Sequence, residues 1–219
     1  MSLVARDIKR AYGSELVLRQ LSLTVSPGEI VLLLGANGTG KSTFLGICSG
    51  LVRADSGSLK YDGQQSTPFQ KIGYSAHEPL LYANLTVLEN LQLTRELLGL
   101  NCNLNAELEN WGLESLSQKP VSSLSRGKRS SLGLCRALLA DPDYLLLDEP
   151  TNALDPSAIE RIKSAIKRRV GQGALALIAT HDISSFENLA TRGILLQNGT
   201  IALDGPVEKV ITAYQGVNR

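Results

Sequence analysis

Five consecutive apolar residues, Ile30-Val31-Leu32-Leu33-Leu34, run straight into the glycine-rich stretch Gly35-Ala36-Asn37-Gly38-Thr39-Gly40-Lys41-Ser42-Thr43. An apolar run of strand length without alternation suits a strand covered on both faces, as in the middle of a parallel sheet. The stretch after it fits G-x-x-x-x-G-K-[ST], and Lys41 to Leu51 has helical character. Buried strand, glycine loop and helix in that order form the context in which such a loop cradles phosphate. They commit the chain to an α/β architecture. Gly38 and Gly40 permit backbone shapes that other residues resist, so successive N–H groups can point at phosphate oxygens beside a helix N-terminus. Lys41 would neutralise β- and γ-phosphate charge, and Ser42 would place its hydroxyl on Mg²⁺.

A second apolar strand, Tyr144 to Leu147, ends in Asp148-Glu149-Pro150. A carboxylate at the tip of a buried strand is costly unless it is paired or meets a metal. Asp148 is the expected Mg²⁺ holder and Glu149 the residue that acts on the attacking water. Alone, this run could also be an ordinary strand end with solvated acids; the phosphate loop upstream decides between the two. A third buried strand, Ala174 to Ala179, ends at Thr180-His181, where an imidazole could donate to a γ-phosphate. Leu124-Ser125-Arg126-Gly127-Lys128 opens a helix running to about Ala140, with Ser125 as N-cap. On its own that is a plain capped helix. Beside a phosphate loop it is a second anion-attracting helix end, best explained if it covers the γ-phosphate of a nucleotide held by another copy. Tyr12 could stack on an adenine face. His77, in Ser75-Ala76-His77-Glu78-Pro79, stands at the entry to the helical insertion and is either a surface histidine or a functional one.

Around these motifs, Leu3 to Arg10 and Leu16 to Val25 alternate as half-exposed strands, Gly57 to Gly63 reads as a short surface strand, and Gly193 to Leu203 as a hairpin turning at Asn198-Gly199. Ala158 to Val170 reads as a helix with a basic outer face. Leucines at 88, 91, 93, 97, 98 and 100 sit among polar residues, as in amphipathic helices. The expectation is one domain over 1–219, with a core of 1–74 and 141–219 and a helical subdomain inserted at about 75–140. Net charge is +1, which leaves no electrostatic footprint for nucleic acid. Cys48, Cys102 and Cys135 are scattered and form no C-x-x-C, which argues against disulfides and zinc. No basic segment followed by a long apolar run opens the chain, and no stretch approaches the ~20 apolar residues of a membrane span. A cytosolic protein is expected, with any membrane role exercised through a partner.

Together these motifs resemble the ATP-binding subunits of ABC transporters over essentially the whole chain. The resemblance implies a P-loop NTPase fold: a RecA-like α/β core, an antiparallel β subdomain and an inserted helical subdomain. It implies ATP binding through Tyr12 and the loop Gly35, Ala36, Asn37, Gly38, Thr39, Gly40, Lys41, Ser42 and Thr43. Mg²⁺ would be held at Ser42 and Asp148, with His77 where the family usually has Gln. Catalysis would rest on Glu149 and the switch histidine His181, and Ser125 and Gly127 would act on a second copy's ATP. Asn152-Ala153-Leu154-Asp155 is similar to the loop that bridges two copies. The implied partners are a second ATPase subunit, as a homodimer or pair, and transmembrane permease subunits at the cytoplasmic face of the inner (cell) membrane. Two departures stand out: the family signature L-S-G-G-Q reads Leu-Ser-Arg126-Gly-Lys128 here, and His77-Glu78 replaces the Gln loop. His77-Glu78-Pro79 and the compact length are similar to the haem-exporter type of the cytochrome c maturation complex. The alternatives are an ABC ATPase serving another cargo, a soluble ABC ATPase of translation or DNA repair, and a nucleotide-binding regulator.

Overall fold

A computed structural model describes residues 1–217, so the last two residues of the expected core segment lie outside it. In chain order the elements are β1 (Leu3–Tyr12), β2 (Glu15–Val25), β3 (Ile30–Leu34), α1 (Lys41–Cys48), β4 (Ser56–Tyr61), β5 (Ile72–Ser75), α2 (Val87–Leu98), α3 (Leu104–Asn110), α4 (Arg126–Leu138), β6 (Tyr144–Asp148), α5 (Pro156–Gly171), β7 (Leu175–Ala179), β8 (Arg192–Gln197), β9 (Thr200–Pro206) and α6 (Val207–Val217). They build an antiparallel sheet ordered β2-β1-β4 and a six-stranded sheet ordered β5-β6-β7-β3-β8-β9. The second sheet is parallel from β5 to β8, and β9 closes it antiparallel against β8.

The apolar run is β3, which pairs with β7 on one side and β8 on the other. Its residues alternate between two cores. Ile30, Leu32 and Leu34 join a cluster that includes Leu91, Leu132, Leu147, Ile162 and Ile178. Val31 and Leu33 join Leu3, Ile8, Leu18, Leu21, Phe44 and Leu45 on the opposite face. Neither face meets water, which is why no polar residue interrupts the run. Each such leucine contributes about 1.5–3 kcal/mol by its burial. α1 and the antiparallel sheet cover one face of the parallel sheet, while α4, α5 and α6 cover the other.

Helix starts follow local chemistry. Thr86 and Glu89 form a reciprocal capping box at α2, Ser125 caps α4, and Asp155 caps α5 with Pro156 in its first turn; each cap is worth about 1 kcal/mol. Three features depart from the pattern in the sequence. β5 is an additional parallel strand where the helical insertion was expected to begin. α1 ends at Cys48 rather than Leu51, because Ser49 closes the helix and Gly50 turns left-handed at φ 79°. Leu97 is 72% exposed despite its place in the leucine pattern of α2.

Candidate functional site

The loops that follow β3, β6 and β7, three neighbouring parallel strands, meet at one cavity of about 850 Å³. This is the end of a parallel sheet where α/β proteins place their ligands. Tyr12, Asn37, Gly38, Gly40, Lys41, Ser42, Thr43, His77, Asp148, Glu149 and His181 all line it. Gly35, Ala36 and Thr39 complete the loop behind them, where the Thr39 hydroxyl donates to the Ala36 carbonyl at 2.9 Å.

Gly40 ends the loop and caps α1 with φ 104°, where a Cβ would lie 2.6 Å from the Leu18 side chain. That close approach holds the start of α1 against β2, and α1 aims its free N–H groups into the cavity. Lys41 folds back over the loop: its Nζ donates to the carbonyls of Gly35 at 2.6 Å and Ala36 at 3.1 Å. Burial lowers the Lys41 ammonium below its ordinary value, against the opposing charges of Glu149 and Asp148. An anion in the cavity would supply the charge that Lys41 lacks.

Asp148 closes β6 at 3% exposure. Burial, with the Asp148 charge adding to it, pushes the Tyr74 phenol up to about 12. Glu149 then leaves the strand through a left-handed conformation at φ 49°, which costs a non-glycine residue about 1–2 kcal/mol. Such strain persists where the surroundings hold it. Here the Glu149 N–H donates to Ala179 O at 2.8 Å, and its Oε2 accepts from His181 N at 3.1 Å and Thr180 Oγ1 at 3.4 Å. The bend swings the carboxylate out of the line of β6 and toward the loop after β7. Its Oε1 lies 3.6 Å from His181 Nε2. The His181 ring bridges Asn37 Oδ1, 2.9 Å from Nε2, and Tyr214 Oη, 2.8 Å from Nδ1.

Ser42 and Asp148 offer a hydroxyl and a carboxylate to the same cavity. Two hard oxygen donors suit Mg²⁺, which binds through one or two protein groups plus phosphates and water. No cluster of three or more His, Cys, Asp or Glu able to hold a metal by itself occurs among the described residues. His77 is exposed at the cavity wall and has no hydrogen bond among the described residues. Its nitrogen donors fit Mg²⁺ less well than the oxygen pair does.

Tyr12 is 47% exposed at the cavity rim, and the Arg10 guanidinium sits 4.6 Å from its ring centroid. Arg10 is held in turn by Asp55 at 2.8 Å. Ser125 and Gly127 do not line the cavity of their own chain. Ser125 Oγ accepts from Lys128 N at 3.4 Å, and Arg126 is exposed. A Cβ on Gly127 would stand 2.4 Å from the Ala153 carbonyl oxygen, so the start of α4 presses against the loop that lines the cavity. The next turn of that loop is pinned too: the Ser157 hydroxyl and the Ala158 N–H hold the Asp155 carboxyl below its ordinary range, and the Lys128 charge adds to them.

Sequence patterns missed Arg10, Thr151, Asp182 and Tyr214. Arg10 stands two residues from Tyr12 on β1, a same-face spacing that could have drawn attention. Tyr214 is 33 residues beyond its histidine partner, with no signal linking them.

Residues 18–152 match the family model described as ABC transporter. A lantibiotic transport ATP-binding protein of Streptococcus pyogenes is 33% identical over 202 residues, spanning 91% of this chain and 88% of that protein. A bacitracin transport ATP-binding protein of Bacillus licheniformis is 31% identical over 210 residues, spanning 92% and 69%. A solved structure described as an ATP-binding subunit of an ABC transporter superposes with a TM-score of 0.88 at 26% identity, covering 98% of this chain and 94% of that one.

Proposed function

The chain belongs to the ABC transporter family as an ATP-binding subunit, and from that premise we propose that it hydrolyses ATP to drive membrane-spanning partners through ATP-dependent pairing of two copies. The observation that carries this reading is the convergence of Lys41, Asp148, Glu149 and His181 on one cavity from three adjacent strand ends.

The roles follow from the geometry. Tyr12 offers a ring face to the adenine. The backbone N–H groups of the glycine loop and Lys41 receive the phosphates, exchanging the loop carbonyls that Lys41 now contacts for oxygens of higher charge. Ser42 and Asp148 would hold Mg²⁺, which supplies charge neutralisation at the phosphates when bound. Glu149 accepts the proton of the attacking water, and His181 steadies the γ-phosphate from its Nε2 side. The hydroxyl oxygen forms the new bond to phosphorus, and the bond to the ADP oxygen breaks.

The trans role of Ser125 and Gly127 is supported by their position outside the cavity of their own chain and by the close approach of Gly127 to Ala153, which lines it. A helix end facing outward beside the cavity is available to a nucleotide on a second copy. Through Gly127 and Ala153, that copy would sense the state of this one.

A further cavity, of about 320 Å³, lies between β5, α2 and α4. Leu51, Phe69, Leu80 and Leu97 surround it at 60%, 63%, 50% and 72% exposure. An apolar groove of this kind suits an amphipathic helix of a partner. It favours the transporter reading over a soluble ABC ATPase of translation or DNA repair. No helix among the described residues is long and apolar enough to cross a membrane, so the protein would sit peripherally on the cytoplasmic face through this groove. The haem-export reading rests on His77-Glu78-Pro79. The relatives above are named for lantibiotic and bacitracin transport. The nucleotide cavity of this subunit discriminates among none of these cargoes, which would meet the membrane subunits instead.

Mg²⁺-dependent phosphate release from ATP tests the chemistry. Wild-type protein should turn over and Glu149→Gln should lose at least about 100-fold. Equal rates would remove Glu149 from the mechanism.

A further inference from the structure

The His181 side chain is 41% exposed, and an imidazole so open to water has no intrinsic reason to hold one tautomer or one orientation. Here both are determined by its neighbours. Nε2 faces two acceptors, Asn37 Oδ1 at 2.9 Å and Glu149 Oε1 at 3.6 Å. A nitrogen between two acceptors must carry the proton, so the neutral ring presents a lone pair at Nδ1. The group placed to donate to that lone pair is the Tyr214 hydroxyl, 2.8 Å away. The two rings also touch, with centroids 6.4 Å apart at a tilt of 40°. Tyr214 belongs to α6, which packs on β3, β8 and β9 and buries Val207 and Val210 in the core. The donor is therefore carried by the main body of the fold, not by the loop that carries the histidine.

We propose that Tyr214 is the positioning residue that keeps His181 in its Nε2–H tautomer, with that N–H aimed between the phosphate loop and Glu149. The role rests on the reading of His181 as a phosphate-facing donor. Removing the Tyr214 hydroxyl leaves Nδ1 to bulk water and opens the Nδ1–H tautomer. In that tautomer the Nε2 lone pair would face Asn37 Oδ1 and the Glu149 carboxylate, so the ring or the Asn37 amide must reorient. The hydroxyl matters for which nitrogen holds the proton, a detail set by the hydrogen bond at the other nitrogen.

Tyr214→Phe keeps the ring and removes the hydroxyl. Two readouts decide. The chain has two histidines, so long-range ¹H–¹⁵N spectra of the imidazoles at about pH 8, where model-peptide imidazole is neutral, show two ring systems, and His77→Ala assigns them. Wild-type His181 should show a protonated Nε2 and an unprotonated Nδ1; Tyr214→Phe should move both nitrogens toward the averaged values of a free imidazole. In steady-state ATP hydrolysis Tyr214→Phe should lower kcat about three- to tenfold, the scale of one neutral hydrogen bond, with KM for ATP unchanged. A wild-type Nδ1–H tautomer, or a tautomer unaffected by Tyr214→Phe, overturns the proposal whatever the rates. So does full kcat in Tyr214→Phe while His181→Ala is inactive. If His181→Ala itself turns over at the wild-type rate, the catalytic reading of His181 falls, and the spectra still decide whether Tyr214 sets its tautomer.

Discussion

Gly127→Ala separates two reasons for a glycine in the first turn of α4. In an unencumbered helix the change would stabilise the protein by about 1 kcal/mol, because alanine gives up less backbone freedom. Here the new Cβ would lie 2.4 Å from Ala153 O, whereas carbon–oxygen contacts ordinarily begin at about 3.3–3.6 Å. The start of α4 and the loop carrying Ala153 must therefore part by roughly 1 Å. The obstacle is a backbone carbonyl, which cannot rotate away as a long side chain could. Overpacking of this kind costs about 1–3 kcal/mol. Set against the helical gain, a net loss of about 1 kcal/mol is expected, which lowers Tm by about 2–4 °C for a chain of this size. Scanning calorimetry measures it. Ala153 lines the nucleotide cavity, so ATP turnover should fall as well, by up to about 100-fold for a displacement near 1 Å. A Tm raised by a few degrees with full turnover would refute the reasoning, because it would mean that the two loops do not need their close approach.

Tyr12→Leu should raise KM for ATP about two- to tenfold with kcat unchanged, the scale of one aromatic stack, measured by steady-state hydrolysis. Phe69→Asp or Leu97→Asp, at exposed positions, should leave basal ATPase and Tm intact but abolish stimulation by reconstituted membrane subunits. At Asp182, burial raises the carboxyl, but the hydroxyls of Ser185, Ser184 and Thr151 and the Ser185 N–H lower it by more, so its folded value lies below the ordinary one. Its stabilising contribution is then complete above about pH 4, the unfolded carboxylate value, and is lost as pH falls through the lower folded value. Asp182→Asn should flatten the acid limb of the urea midpoint plotted against pH.

The β3 strand and its glycine loop were legible because five apolar residues followed by glycines leave few alternatives. The same holds for β6 and β7, whose buried runs end in the acids and the histidine of the cavity. β5 was not legible: four residues, Ile72-Gly73-Tyr74-Ser75, are too few to show a period, and their strand character comes from pairing with β6. The leucine pattern of α2 marked a helix but could not separate core from groove. Leu91 is buried and Leu97 lies open, since six residues place them about 120° apart around the helix and the run of leucines does not say which face is covered. The left-handed turn at Glu149 has no sequence signal, because glutamate does not favour it; the hydrogen bonds from the loop after β7 hold it. The Tyr214 contact depends on how α6 packs, which local patterning does not encode.

Sedimentation velocity on Glu149→Gln bears most directly on the claim that two copies complete each other's site. With ATP and Mg²⁺ the variant, able to bind but not to hydrolyse, should shift from monomer to dimer, and adding Gly127→Asp to the same chain should return it to monomer. A Glu149→Gln protein that stays monomeric with ATP bound, or a dimer indifferent to Gly127→Asp, would contradict it.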